Sequence, residues 1–293
     1  MQNIFTKILI YGILYPISLL PLNILYFFAR IMQFFVFKVF RYRKDVILTN
    51  LQTSFPDKTK KDISLIYKAF QNHLCNIFIE GVKLLTLSKK ELFKRYKCKN
   101  PELANQYATA GKSIILMSAH YNNWEWMVLS LSLQFDFHGV GVGAPNSNKV
   151  FEKIINKART RYGTEVVFAD KVRDTFLQYE KGKKQVAYMM LSDQSPVSVA
   201  KSYITQFLNQ PSAMIYGAEY FAKKYDYPVL YYVVNQYKTG YYEIELRPIS
   251  STPQSENYGG IIEKYIAHLE KDIQSAPAYW LWSHKRWKHK ISL

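Results

Sequence analysis

With 293 residues, 48% of them apolar and 16% aromatic, and only 12 glycines and 11 prolines, the chain can bury a large core, which excludes a disordered or low-complexity polymer. Thirty-nine lysines and arginines against 22 acidic residues leave a formal charge of +17. That is more than solubility needs, and it points to a partner rich in phosphate or carboxylate: nucleic acid, an acidic protein or an anionic lipid surface. The two cysteines, Cys75 and Cys98, form no CxxC pair, so a disulfide framework or zinc site is not expected and a reducing compartment fits.

The stretch from Ile8 to Ala29, ILIYGILYPISLLPLNILYFFA, carries no charge and is long enough to cross a hydrocarbon core of about 30 Å as a helix. Pro16, Pro21 and Asn23 interrupt it, so a true span and a kinked helix pair lying in the interface or on the domain both stay open. The run is too long for a cleaved signal peptide, and no small-residue cleavage site follows it. Arg30, Lys38, Arg41, Arg43 and Lys44 follow the run against Lys7 before it, a bias that places the main domain on the cytoplasmic side if the segment spans. Residues 1–42 are therefore expected to be a hydrophobic membrane anchor, and 43–293 one continuous domain.

Further along, Ile63, Ile66, Ala69, Phe70, Leu74, Ile77 and Phe78 recur at helical spacing and predict an amphipathic helix over 60–83. "IILMSA", "VVFA", "QVAYMML" and "YPVLYYVV" read as short buried strands. Helices are expected between and after them at 123–134, 148–162, 171–181, 211–225 and 256–274. Short apolar strands alternating with helices predict an α/β fold with a central sheet flanked by helices. "YPVLYYVV" and "GYYEIEL", joined through Gly240, predict an antiparallel pair and hence a mixed sheet.

The stretch SAHYNNWEW, residues 118–126, sits where a strand gives way to a helix and carries His120 and Glu125. Five positions apart on one helix, the two side chains diverge by about 140°. They can meet if His120 ends the strand, Asn122 or Asn123 caps the helix, and Glu125 in its first turn reaches back to the imidazole. Glu125 would then fix the histidine tautomer, leaving His120 as a general base. The spacing alone is weak, since chance supplies about half a pair of this kind in such a composition. A Ser118 nucleophile served by His120 is also conceivable, although no Gly-x-Ser-x-Gly elbow surrounds it. Amides near Asn122 could stabilise an oxyanion.

Several ordered blocks now bear on the choice. The His-x4-acid motif follows an apolar amino-terminal segment and "RYRKDVILTNLQTSFPD", with Arg43, Val46, Asn50, Leu51 and Phe55-Pro56. After it come "APNSNKVFEKIINKARTRYG" with Arg159 and Arg161, "LSDQSP" with Asp193, and "APAYWLWSHKRWK". Over nearly its whole length the chain resembles the bacterial lipid A biosynthesis acyltransferases of the lauroyl/myristoyl type. The resemblance implies the glycerolipid acyltransferase α/β fold at the inner membrane. It also implies an acyl thioester donor on acyl carrier protein or coenzyme A, a membrane lipid hydroxyl as acceptor, and no metal or resident cofactor. Ala144 stands where many relatives have arginine, and Asp193 is followed by glutamine rather than histidine, so acceptors other than lipid A, such as amino-acid lipids, stay open.

In that setting Arg159, and less so Arg161, would bind substrate phosphate through guanidinium forks, with Asp193 and Asn122 also lining the substrate site. Trp280, Trp282 and Trp287 interleaved with Lys285, Arg286, Lys288 and Lys290 suit a lipid headgroup region or substrate phosphate ahead of single-stranded nucleic acid. An acidic carrier protein would dock on the basic surface. The competing expectation is a non-enzymatic basic protein bound to membranes or nucleic acid, with His120 and Glu125 merely structural.

Overall fold

The computed structural model describes residues 2–291. In chain order it runs through α1 (Gln2–Lys7), α2 (Tyr15–Leu19), α3 (Leu22–Gln33), α4 (Lys44–Ser54), α5 (Lys60–Lys83) and α6 (Lys89–Arg95). Next come β1 (Tyr96–Cys98), α7 (Glu102–Thr109), β2 (Ile114–Ser118), α8 (Trp124–Gln134), β3 (His138–Gly143), α9 (Lys149–Thr160) and β4 (Glu165–Phe168). The remainder is α10 (Val172–Lys181), β5 (Val186–Leu191), β6 (Ser202–Phe207), β7 (Gln210–Ile215), α11 (Gly217–Tyr225), β8 (Val229–Lys238), β9 (Tyr241–Ser250) and α12 (Gly260–Ser275). Seven strands make one mixed sheet in the order β1-β9-β8-β2-β5-β3-β4, antiparallel only between β8 and β9. The expected α/β architecture and the late antiparallel pair are both present.

The sheet lies between two helical layers, and β3 shows why. Gly139 and Gly141 face α8 so closely that a Cβ on Gly139 would sit 2.7 Å from Ser132 Oγ and 2.8 Å from Leu131 Cγ. The next residue, Val140, pairs with Tyr188 of β5, and alternation turns both to the opposite face. There Tyr188 stacks on Phe176 of α10, which stacks in turn on Phe221 of α11. The glycines that let α8 settle also hide β3 from any propensity reading, and "HGVGVG" is not among the expected strands.

The helix expected over 211–225 is a strand and a shorter helix. Gln210–Ile215 pairs antiparallel with β6, and α11 starts only at Gly217. "QPSAMI" has a proline and no helical start signal, and its strand character comes from the hairpin partner.

The amino-terminal segment is broken at Pro21, while helical backbone runs on through Pro16. Leu20 turns to extended backbone between α2 and α3, and the freed carbonyls of Ser18 and Leu20 accept hydrogen bonds from Lys83 Nζ at 2.8 and 3.0 Å. Leu22, Leu25, Ala29 and Phe37 are buried within the same core cluster as the sheet. The opposite side leaves Phe5, Phe27, Phe28, Phe34, Phe35 and Phe40 exposed. Leu22–Val39 is apolar and long enough to cross a bilayer by length and composition, so one amino-terminal helix could act as an anchor. Left-handed backbone at Arg41 and Arg43 turns the chain from this segment into α4.

Candidate active site

β2 and β5 are parallel neighbours in the middle of the sheet, registered Ser118 to Leu191. Two residues beyond each strand therefore reach the same level at the carboxyl edge, where α/β sheets hold their ligands. Those residues are His120 and Asp193. Asp193 Oδ1 meets His120 Nδ1 at 2.8 Å, while Oδ2 accepts the His120 backbone N–H at 3.0 Å and the Trp280 indole N–H at 2.9 Å. Asp193 is 1% exposed. Burial alone would raise its pKa, but the imidazole and these three N–H donors hold it below the usual carboxylate range. An ionised Asp193 fixes the proton of a neutral imidazole on Nδ1 and leaves a lone pair on Nε2.

The expected contact between His120 and Glu125 is not made. Asn123 caps α8, its Oδ1 accepting the Trp126 N–H at 3.0 Å, and Glu125 falls in the first turn as expected. Its carboxylate, however, turns towards α9, where Arg159 Nε and Nη2 grip it at 3.1, 2.9 and 2.6 Å. What α8 presents to the imidazole is the Trp124 ring, its centroid 5.4 Å away. A guanidinium fork offers Glu125 two parallel charge-assisted bonds, more than a lone imidazole already held by Asp193 can offer.

Three other expected residues are engaged structurally. Arg161 donates to Leu84 O at 2.6 Å and Ala158 O at 2.9 Å, and also to Leu87 O, tying off the chain after α5 rather than facing a ligand. Asn122 is 1% exposed; its side chain donates to Val234 O at 2.7 Å and its backbone N–H to Tyr279 O at 2.9 Å, so that amide is not open to an oxyanion. Ser118 is equally buried and its hydroxyl donates to Tyr232 O at 2.7 Å, which removes it as a nucleophile presented to His120.

Trp124, whose ring packs against the imidazole, lines a cleft of about 790 Å³, within the usual range for ligand pockets; His120 itself is not one of the lining residues. The cleft walls are apolar side chains of the amino-terminal helices and α5, among them Leu14, Met32, Phe37, Leu74 and Val82. Arg43, Trp124, Glu125, Arg159 and His284 supply its polar lining. Arg159 spends Nε and Nη2 on Glu125; among the described residues its Nη1 has no hydrogen-bond partner. Below the cap, Asn123 Nδ2 donates at 2.5 Å to Glu80, a wholly buried carboxylate that also accepts from the hydroxyls of Tyr26 and Tyr242 at 2.6 Å each. Burial pushes Glu80 up to about 7 despite these bonds.

The carboxyl-terminal aromatics form a strap, not a platform. Trp280 and Trp282 are buried, and Tyr121 bridges to Trp280. Arg43 and Asn50 hold the strap through the carbonyls of Ser283, Trp282 and His284. Arg286 is 2% exposed and donates to Ala213 O at 2.9 Å. Rings engaged in this way cannot stack on bases, and only Lys285, Lys288 and Lys290 are exposed. Among the described residues no three His, Cys, Asp or Glu side chains gather to hold a metal ion.

An imidazole oriented by a buried carboxylate, with an apolar cleft on the far side of Trp124, is an arrangement compatible with general-base chemistry. The sequence matches the bacterial lipid A biosynthesis acyltransferase family over residues 1–289, and the chain belongs to that family. The family implies an acyltransferase of lipid A biosynthesis. Comparison with curated proteins gives no match.

Proposed function

We propose that the chain moves a fatty acyl group from a thioester, on acyl carrier protein or coenzyme A, to a hydroxyl of an anionic lipid, a lipid A precursor. The single observation that carries this reading is the His120–Asp193 pair, joined through the Trp124 ring to an apolar cleft whose polar lining includes Arg43 and Arg159. His120 Nε2 takes the proton from the acceptor hydroxyl as that oxygen attacks the thioester carbonyl. The tetrahedral centre collapses, the C–S bond breaks, and the imidazolium returns the proton to the departing thiolate. Asp193 stabilises the imidazolium between the two steps.

The acyl chain lies in the cleft, where each buried methylene contributes about 0.8 kcal/mol. Arg159 Nη1 meets a phosphate of the acceptor or of the carrier's prosthetic arm. The exposed phenylalanines of the amino-terminal helices enter the bilayer interface, with the sheet domain on the cytoplasmic side and the +17 charge drawing it to anionic lipid. The test is His120→Ala in detergent micelles, assayed with acyl carrier protein thioester and lipid acceptors. Transfer at the wild-type rate rejects the reading, and a trapped acyl-Ser118 adduct would replace it with double displacement.

A further inference from the structure

The proposed reaction develops negative charge on the thioester oxygen, and three of the backbone amides near His120 are already engaged. The His120 amide is bonded to Asp193, the Asn122 amide to Tyr279 O and the Trp124 amide to Asn122 O. We infer that His284 of the carboxyl-terminal strap is the oxyanion donor, through its Nδ1–H, an assignment that rests on the acyl-transfer reading above.

Three observations converge on this residue. First, His284 lines the same cleft as Trp124, Glu125 and Arg159. Second, its tautomer is fixed: the Ser195 backbone N–H donates to His284 Nε2 at 3.2 Å, so a neutral ring carries its hydrogen on Nδ1. No protein acceptor among the described residues meets that Nδ1–H. Third, the strap is tied to the general base from both sides. Leu281 N–H donates to His120 O at 3.1 Å, and Ser195 lies two residues beyond Asp193. Burial lowers the His284 pKa to about 4, so the ring is neutral at pH 7 and does not compete with His120 for the acceptor proton. The two histidines are thus held in the same tautomer but present opposite edges: His120 spends its Nδ1–H on Asp193 and keeps a lone pair on Nε2, whereas His284 spends its Nε2 lone pair on Ser195 and keeps a free Nδ1–H. One takes a proton while the other donates a hydrogen bond.

The test separates a donor from a brace. Asparagine places an amide N–H where Nδ1–H stands and cannot reach Ser195; phenylalanine keeps the ring and removes both bonds. With wild type and His120→Ala fixing the active and inactive limits, His284→Phe is expected to lower kcat by about 10² to 10³ with KM for donor and acceptor within about threefold, the usual cost of one oxyanion donor. His284→Asn is expected to recover at least tenfold of that loss. Equal losses in the two variants, or a loss confined to KM, would show that His284 only braces the strap and would overturn the inference. If His284→Phe retains wild-type kcat while His120→Ala is inactive, the inference fails alone and the acyl-transfer reading stands. If His120→Ala is fully active, the acyl-transfer reading itself has failed.

Discussion

Asp193→Asn is the sharpest perturbation of the proposed base, His120. Asparagine matches the shape of aspartate but has one oxygen. Oδ2 of Asp193 receives two N–H donors, from the His120 backbone and from Trp280, and the amide oxygen belongs there. The amide NH2 then faces His120 Nδ1 at the 2.8 Å position. Two N–H groups cannot face each other, so the imidazole carries its proton on Nε2, the atom that should accept one. A reversed tautomer of this kind costs about 10⁴ in kcat in serine-protease triads, or about 5 kcal/mol of barrier. The fold loses only the charge on one acceptor, about 1 to 2 kcal/mol. Steady-state acyl transfer and thermal melting in the same detergent separate the two effects. Glu125→Gln is the control: it weakens a partly exposed pair with Arg159, worth about 1 kcal/mol, so the expected loss is about fivefold. A mild Asp193→Asn beside a severe Glu125→Gln would refute the reasoning and give the orienting role to Glu125.

Other consequences follow from the same geometry. The two site arginines should behave differently: Arg159→Ala raises KM for acceptor or donor with the melting temperature held, whereas Arg161→Ala lowers the melting temperature and leaves KM within about twofold. Gly139→Ala brings a methyl group to within 2.8 Å of Ser132 and Leu131 and is expected to cost about 1 to 3 kcal/mol, read from urea unfolding; an unchanged midpoint would mean α8 moves freely. Burial raises the folded pKa of Glu80 from its ordinary 4.5 to about 7, against the lowering effect of Tyr242, Tyr26, Asn123 and Arg95. A raised acid pKa contributes stability that is fully present below about 4.5 and is lost as pH rises through about 7, by about 3 kcal/mol. Glu80→Gln should flatten the melting temperature between these limits, and an unchanged pH slope would place the titration elsewhere.

Local chemistry determined a good deal by itself. The proline break in the amino-terminal segment, the capped helix after β2, the helix over 60–83 and the β8–β9 pair all follow from residues within a few positions of one another, where spacing and capping act directly on the backbone. His120 was legible because a strand-to-helix junction is itself a local feature. Its partner was not. Asp193 reaches His120 only because β5 lies beside β2 in a fixed register, and strand order is settled by how the helices cover the sheet, across 73 residues of chain. The same holds for Arg159, whose guanidinium captures Glu125 because α9 packs on α8. It holds again for Trp280 and Trp282 of the tail: interleaved with basic residues they have the pattern of a surface stretch, and only tertiary burial turned them inward, Trp280 onto Asp193. Which acidic group holds a histidine is decided by distance in three dimensions, and sequence spacing constrains that distance only within a single element.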